Sequence, residues 1–421
     1  MQKFVVYGEK KIEGETEIQG AKNSVLPILA AATLCRGEIK VKNTPEISDM
    51  YAALRILSHL GIKSDYKPET HTVQCDCKSV TADDIPDSMM KEMRSSIFFL
   101  GAILGRTGKC RISSPGGCDI GLRPIDMHIS ALEKMGVRVV QVEEHLEFTA
   151  PKGLFGANIS LGFPSVGATE NILMAAATAS GTTVITNAAR EPEIADLAGF
   201  LNAAGAKITI EANRIIIKGV KELHGCEYTA MPDRIAASTM LAAAAVTGGL
   251  ITVKGAKASD MEAVLQIFDS AGCHIYNTEK GITLTARKKL KAPQNLLKTL
   301  VYPGFPTDSQ AVVMGALCRA EGVTVFEETI FENRYRHVPE LRKMGAKILV
   351  SGNTAVITGV PKLHGAKVEA TDLRGGAGLV IAALGAEGKT EIEKIAFIDR
   401  GYEEFEKMLT AVGADIKREI Y

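Results

Sequence analysis

Apolar residues surround nearly every face of six short stretches, at 25–34, 97–104, 172–179, 240–246, 312–317 and 379–384. A helix without a polar face has nothing to offer water and must be buried. Each of these is followed by a glycine, then by a Val/Ile/Thr-rich run that reads as strand, then by a stretch whose apolar positions recur at helical spacing on one side only. Those second stretches, at 52–60, 127–135, 194–203, 261–271, 339–344 and 402–411, belong at or near the surface and each closes on another glycine. Two or three strands accompany every helix pair, as at 207–210 and 214–217 around an Ala-Asn turn.

The pattern is one unit written six times. The glycines after the buried helices are Gly37, Gly108, Gly181, Gly248, Gly322 and Gly388, and those after the amphipathic helices are Gly61, Gly136, Gly205, Gly272, Gly345 and Gly413. The units repeat at about 70 residues, longer than the common solenoid repeats. A unit of this kind cannot hide its buried helix alone, and six around one core would exceed the usual single-domain size. Two groups of three are the economical division. The 225–232 stretch is the natural crossing point, and the strand before Gly14 can belong to either group.

Fourteen residues before each first glycine stand Asn23, with Lys22 beside it, then Arg94, Gly167, Arg234, Asp308 and Arg374. These positions open the buried helices, where unpaired N–H groups and the helix dipole favour anions. Four of the six units place a cation there. A solvated cap or an internal ion pair would explain any single one; their recurrence points to a ligand anion shared by several helix starts.

The interval between the two glycines is 24 residues in units one, three and four, 23 in unit five and 25 in unit six, but 28 in unit two. The surplus falls at 115–118, inside the loop Ser113-Ser114-Pro115-Gly116-Gly117-Cys118-Asp119-Ile120-Gly121-Leu122-Arg123. A glycine-rich insertion that carries one thiol, with a guanidinium five residues on, is the kind of departure from a repeat that function produces.

Composition narrows the chemistry. With 49 basic and 49 acidic residues among 421, the chain has no field to steer it onto nucleic acid or an anionic membrane, so an anionic partner must be met locally. Eight cysteines without regular pairing suggest reduced thiols in a cytoplasmic protein, and the tight spacing of Cys75 and Cys77 does not suit a zinc site. The uncharged stretches at 171–189 and 235–253 are broken by glycine and read as buried helix then strand, not as membrane spans. No signal peptide, Walker loop, dinucleotide fingerprint, nucleophile elbow or paired-histidine metal motif stands in the sequence. Neither a metal nor a cofactor is expected.

Several runs together are specific: Gly20-Ala21-Lys22-Asn23-Ser24, Pro115-Gly116-Gly117-Cys118, Gly121-Leu122-Arg123-Pro124, Ser165-Val166-Gly167-Ala168-Thr169, Ala189-Arg190-Glu191-Pro192-Glu193-Ile194, Tyr302-Pro303-Gly304-Phe305-Pro306-Thr307-Asp308, Glu332-Asn333-Arg334 and Ile398-Asp399-Arg400-Gly401-Tyr402-Glu403. From end to end the chain resembles the UDP-N-acetylglucosamine 1-carboxyvinyltransferase family, whose members open peptidoglycan precursor synthesis. The resemblance implies an α/β (α+β) fold of two similar domains, each of three βαβαββ repeats, an inverse α/β barrel-like arrangement with buried helices aimed at a cleft. It assigns 22–230, with the Cys118 loop, to one domain and 1–21 plus 231–421 to the other, so that the N-terminal strand joins the second domain.

The same resemblance implies transfer of enolpyruvate from phosphoenolpyruvate to the 3′-hydroxyl of UDP-N-acetylglucosamine, with release of phosphate through a tetrahedral intermediate. Lys22, Arg123 and Arg400 would hold phosphoenolpyruvate, with Arg374 nearby. Asn23, Arg94, the segment Arg123, Pro124, Ile125, Asp126 and Met127, together with Asp308, Ile330 and Arg334, would serve the nucleotide sugar. Asp308 is the expected general base, and Cys118 either protonates the methylene carbon or adds covalently at C2. An ordinary thiol pKa of about 8.5 favours the first role and the neighbouring Arg123 the second. The resemblance also implies that Cys118 is the target of the epoxide fosfomycin. One departure is Phe163, where some members place a lysine that reaches the diphosphate. The rival enzyme is 3-phosphoshikimate 1-carboxyvinyltransferase, and the rival of another class is a nucleotide-sugar-binding homologue without catalysis.

Overall fold

The computed structural model describes residues 2–113, 125–286 and 289–420, with backbone alone at Arg94 and Ser95. Among these residues the chain divides into two compact units, one of 20–113 and 125–231, the other of 2–19 and 232–420. Each has a hydrophobic core of its own. Gly20, Ala21 and Met231, expected with the second group, fall in the first; the Ala21 N–H donates to the Met231 carbonyl at 2.8 Å, and the Met231 N–H donates to Asp196 at 3.0 Å.

In the first unit the buried helices are Lys22–Ala32, Phe99–Thr107 (entered through the 3-10 turn Arg94–Phe98) and Val166–Ala177. The amphipathic ones are Ser48–His59, Asp126–Lys134 and Pro192–Ala203. In the second unit Arg234–Thr247, Thr307–Leu317 and Leu373–Leu384 are buried, and Glu262–Ser270, Val338–Lys343 and Phe405–Ala411 pack outside them. All twelve repeat glycines have φ between 69° and 141°. Those after the amphipathic helices close them identically: the Gly61 N–H reaches the Ser58 carbonyl and the Ile62 N–H reaches back to Leu57, a pairing repeated at the other five. A residue with a Cβ resists that left-handed turn, which is why the sequence marks it so regularly.

Each repeat contributes a four-stranded sheet, one outer strand parallel to its neighbour and the other pairs antiparallel. Leu223–Thr229, the last strand of the first unit, runs parallel to Cys35–Lys42 and so completes the sheet of the first repeat. The second unit is closed by the start of the chain. Gln2–Tyr7 lies between Lys389–Glu393 and Asp415–Ile420, antiparallel to both, and Glu13–Glu17 runs parallel to Leu250–Lys254. Gln2–Tyr7 therefore supplies a strand to the sheet of the sixth repeat and Glu13–Glu17 one to that of the fourth, and among the described residues the chain crosses between units twice, as the family likeness implied.

Alanine and glycine dominate the buried helices because the helices touch backbone to backbone. A methyl at Gly101 would stand 2.2 Å from the Asn171 carbonyl oxygen, and one at Gly315 would stand 2.4 Å from that of Gly378. Among the described residues no helix is long and apolar enough to cross a membrane.

Candidate active site

In the first unit Lys22 opens its helix buried, and its Nζ lies 2.7 Å from Asp49 Oδ2, itself buried on Ser48–His59. The expectation of a cation standing ready for a ligand changes here. A lysine taken out of water requires a counter-charge, and Asp49 supplies one from within the unit. Asn23 follows in the same first turn, which no side chain caps. The adjoining Ser24 hydroxyl donates to Asp196, which also accepts from the Tyr228 hydroxyl at 2.8 Å and the Met231 N–H at 3.0 Å.

Arg94 begins the 3-10 turn before Phe99–Thr107. Ser165 caps Val166–Ala177 by accepting the Ala168 N–H at 3.3 Å, so Gly167 lies in a helix start already served from within. Phe163 is 44% exposed. Ile125 precedes the Asp126–Lys134 helix, whose first turn holds Asp126, exposed, and Met127, half-buried. Cys118, Arg123 and Pro124 lie outside the described residues, as does the side chain of Arg94.

Two groups here escaped the sequence reading. Asn171 joins the second and third repeats: its Oδ1 accepts the Gly101 N–H at 2.5 Å, and its Nδ2 donates to the Ile97 carbonyl and to His128 Nδ1, each at 3.0 Å. Burial pushes His128 down to about 4, so it serves as a neutral acceptor. Glu170 is fully buried with both carboxyl oxygens unpartnered; burial, then the nearby Glu193 and Glu191, raise it well above the usual carboxylate range. No motif announced either, since an isolated polar residue in an apolar helix carries no periodic signal.

In the second unit three of the expected residues meet. Asp308, in the uncapped first turn of Thr307–Leu317, accepts from Arg334 Nη2 through Oδ1 and from Arg374 Nη2 through Oδ2, each at 3.1 Å. Both guanidiniums are 3% exposed, and the carboxylate is 28% exposed. Arg334 also donates from Nη2 to the Thr307 carbonyl at 3.0 Å, which fixes it against the same helix start. Burial opposes the charge of Arg374, but Asp308, Tyr402 and Asp233 hold it above the ordinary guanidinium range, with the Tyr402 ring centroid 5.5 Å from its Cζ. Like Lys22, then, Arg374 is compensated internally, and the Asp372 side chain already caps its helix through the Arg374 and Gly375 N–H groups.

Ile330 is half-buried beside this cluster in sequence and is placed by a group that the sequence did not single out. Glu328 accepts the Ile330 and Phe331 N–H groups at 2.9 and 3.1 Å and the Thr307 hydroxyl at 3.0 Å. Arg234 packs over the Tyr302 ring, 5.6 Å from its centroid, in a helix capped by Asp233. Arg400 ends the 3-10 segment Ile395–Arg400, half-buried, two residues before Tyr402. His337, fully buried, is pushed down to about 4 by burial; Asp372 pulls the other way, the Arg334 guanidinium adds to the lowering and the Arg334 backbone opposes it. Among the described residues no group of histidine, cysteine and carboxylate side chains is arranged to hold a metal ion.

A family model described as EPSP synthase (3-phosphoshikimate 1-carboxyvinyltransferase) matches residues 6–409. The chain is 49% identical to UDP-N-acetylglucosamine 1-carboxyvinyltransferase 2 of Caldanaerobacter subterraneus subsp. tengcongensis over 99% of this chain and 100% of that one. Among solved structures, the enolpyruvyl transferase NikO of Streptomyces tendae superposes with a TM-score of 0.88 at 22% identity, over 99% of this chain and 98% of that one. EPSP synthase of Acinetobacter baumannii superposes at 0.75 and 18% identity over the whole of both chains. The two structural likenesses establish the enolpyruvyl transferase fold, and the sequence relationship is far closer on one branch. The chain belongs to the UDP-N-acetylglucosamine 1-carboxyvinyltransferase family, within the wider EPSP synthase family.

Proposed function

We propose that this chain transfers the enolpyruvyl group of phosphoenolpyruvate to the 3′-hydroxyl of UDP-N-acetylglucosamine, with release of phosphate, as the first committed step toward peptidoglycan. The observation that carries the choice of acceptor is the 49% identity, end to end, with a relative named for that nucleotide sugar. The geometry of the second unit supports the chemistry. Asp308 is held by Arg334 and Arg374 at an uncapped helix start, an orientation that suits a base taking the hydroxyl proton.

In this reading the sugar oxygen forms its bond to C2 of phosphoenolpyruvate as Asp308 takes the proton and C3 gains one from an acid. Loss of a C3 proton and of phosphate from the tetrahedral adduct then restores the vinyl group. Lys22 and Arg400, with Arg374 nearby and Arg123 from the 114–124 segment, hold the phosphate and carboxylate of the donor. Asn23, Arg94, 123–127, Ile330 and Arg334 serve the nucleotide sugar, and Cys118 supplies the proton to C3. Fixed guanidinium and ammonium groups stabilise charge that develops on the adduct without reorganising solvent.

The test is phosphate release measured with each acceptor. Turnover with UDP-N-acetylglucosamine and none with shikimate 3-phosphate is the expected result. The reverse would move the chain to the rival transferase, and binding of the nucleotide sugar without turnover would make it a sensor.

A further inference from the structure

Gln19 closes the first passage of the chain through the second unit, one residue before the crossing. It is 9% exposed, and its carboxamide is occupied at both ends. Nε2 donates to the Gly401 carbonyl at 3.0 Å, and Oε1 accepts the Glu403 N–H at 2.9 Å. Its backbone carbonyl accepts the N–H of Asp233 at 2.9 Å, and Asp233 caps the Arg234–Thr247 helix where the chain re-enters the unit. A carboxamide presents donor and acceptor in one plane, so two such bonds fix both the position and the tilt of the backbone they grip.

The gripped backbone is the turn directly after Arg400. On the other side Asp399 is held bidentately by Arg418, at 2.8 and 2.9 Å, and the Tyr402 hydroxyl lies 2.8 Å from that of Thr239 in the core. Residue 400 thus stands between two anchored neighbours. The Asp399 anchor is remote from the crossing; the Gln19 anchor belongs to it.

We propose that Gln19 is a positioning residue for Arg400, aligning its guanidinium for the anionic donor by clamping 401–403 to the strand that leads to the crossing. The inference rests on the reading that Arg400 holds phosphoenolpyruvate. Neither a motif nor the family likeness singled out Gln19.

Steady-state kinetics of Gln19→Met, Gln19→Glu and Arg400→Ala test it. Methionine keeps the length and loses both bonds. The expected result is a KM for phosphoenolpyruvate raised about tenfold with the KM for the nucleotide sugar within about twofold. Glutamate keeps the acceptor, but as a carboxylate it repels the Gly401 carbonyl and donates to it only when protonated. Burial against that carbonyl raises the introduced carboxyl above its ordinary value of about 4.3, so relative to the unsubstituted enzyme its donor KM falls as pH is lowered from about 8 to about 5.5, whereas the ratio for methionine stays flat. An unchanged donor KM in Gln19→Met beside a raised one in Arg400→Ala overturns the positioning role alone; an unchanged donor KM in Arg400→Ala overturns the underlying reading. Equal rises in both KM values for Gln19→Met also overturn it, since general loosening would produce them. If Gln19→Met loses its native thermal transition, Gln19→Glu decides the matter, and a donor KM that does not recover on acidification counts against the proposal.

Discussion

Removing the Asp308 carboxylate would leave Arg334 and Arg374 buried around an absent anion, so its substitution touches stability as well as chemistry. Asp308→Ala is expected to abolish turnover and lower the melting temperature, and Asp308→Asn to abolish turnover with a smaller stability loss. Both should bind nucleotide sugar within about tenfold of normal, or about 1.4 kcal/mol, by titration calorimetry. Retained turnover would take the base role away from Asp308. The buried histidines add a pH dependence. His128 and His337 are both lowered from 6.5 to about 4. Between those values the unfolded chain binds protons that the native state refuses, so the stability their neutral burial allows is present above pH 6.5 and declines as pH falls toward 4. Denaturant titrations of His337→Leu should show a shallower decline across that window, by up to about 3 kcal/mol. At Cys118, fosfomycin is expected to form a single adduct that peptide mass spectrometry places in the 114–124 segment. Cys118→Asp should turn over while resisting the epoxide, and an adduct on Cys226 instead would refute the assignment.

At the level of elements, the sequence announces what repeats and is silent on what does not. Helix starts, helix ends and the 207–218 hairpin were legible because glycines forced into left-handed turns and apolar runs recur in phase. The internal pairing of Lys22 with Asp49 and of Arg374 with Asp308 was not, since those partners lie 27 and 66 positions apart and share no pattern. Asn171 shows the same limit: an amide in an apolar helix reads as a local flaw, yet it links the starts of two repeats. The close helix crossings make a prediction of their own. Gly315→Ala, with its methyl set against the Gly378 carbonyl, should cost about 1–3 kcal/mol in chemical denaturation, and an unchanged midpoint would mean the helices part without strain.

Across the whole chain, six similar units were readable from spacing, but the closure of the second unit by residues 2–17 was not readable from periodicity, because strand partners more than 200 positions apart leave no local trace. Gln2 lies opposite Ile420. A circular permutant that joins the two ends by a short turn and opens the chain at the exposed Ala212–Asn213 turn is therefore expected to fold and turn over, with a circular dichroism spectrum matching the parent. A permutant that stays unfolded would show that the paired ends need their freedom.

The strand that begins at Gln2 also sets an order on biosynthesis. A ribosome releases the described residues of the first unit, 20–113 and 125–231, while most of the second is still being translated, so that unit can become native on the nascent chain. Gln2–Tyr7, made before that unit, waits for Lys389–Glu393 and Asp415–Ile420, which are made after it. Through most of translation it is an apolar segment with unsatisfied edges, the kind of species that chaperones of the exit tunnel attend.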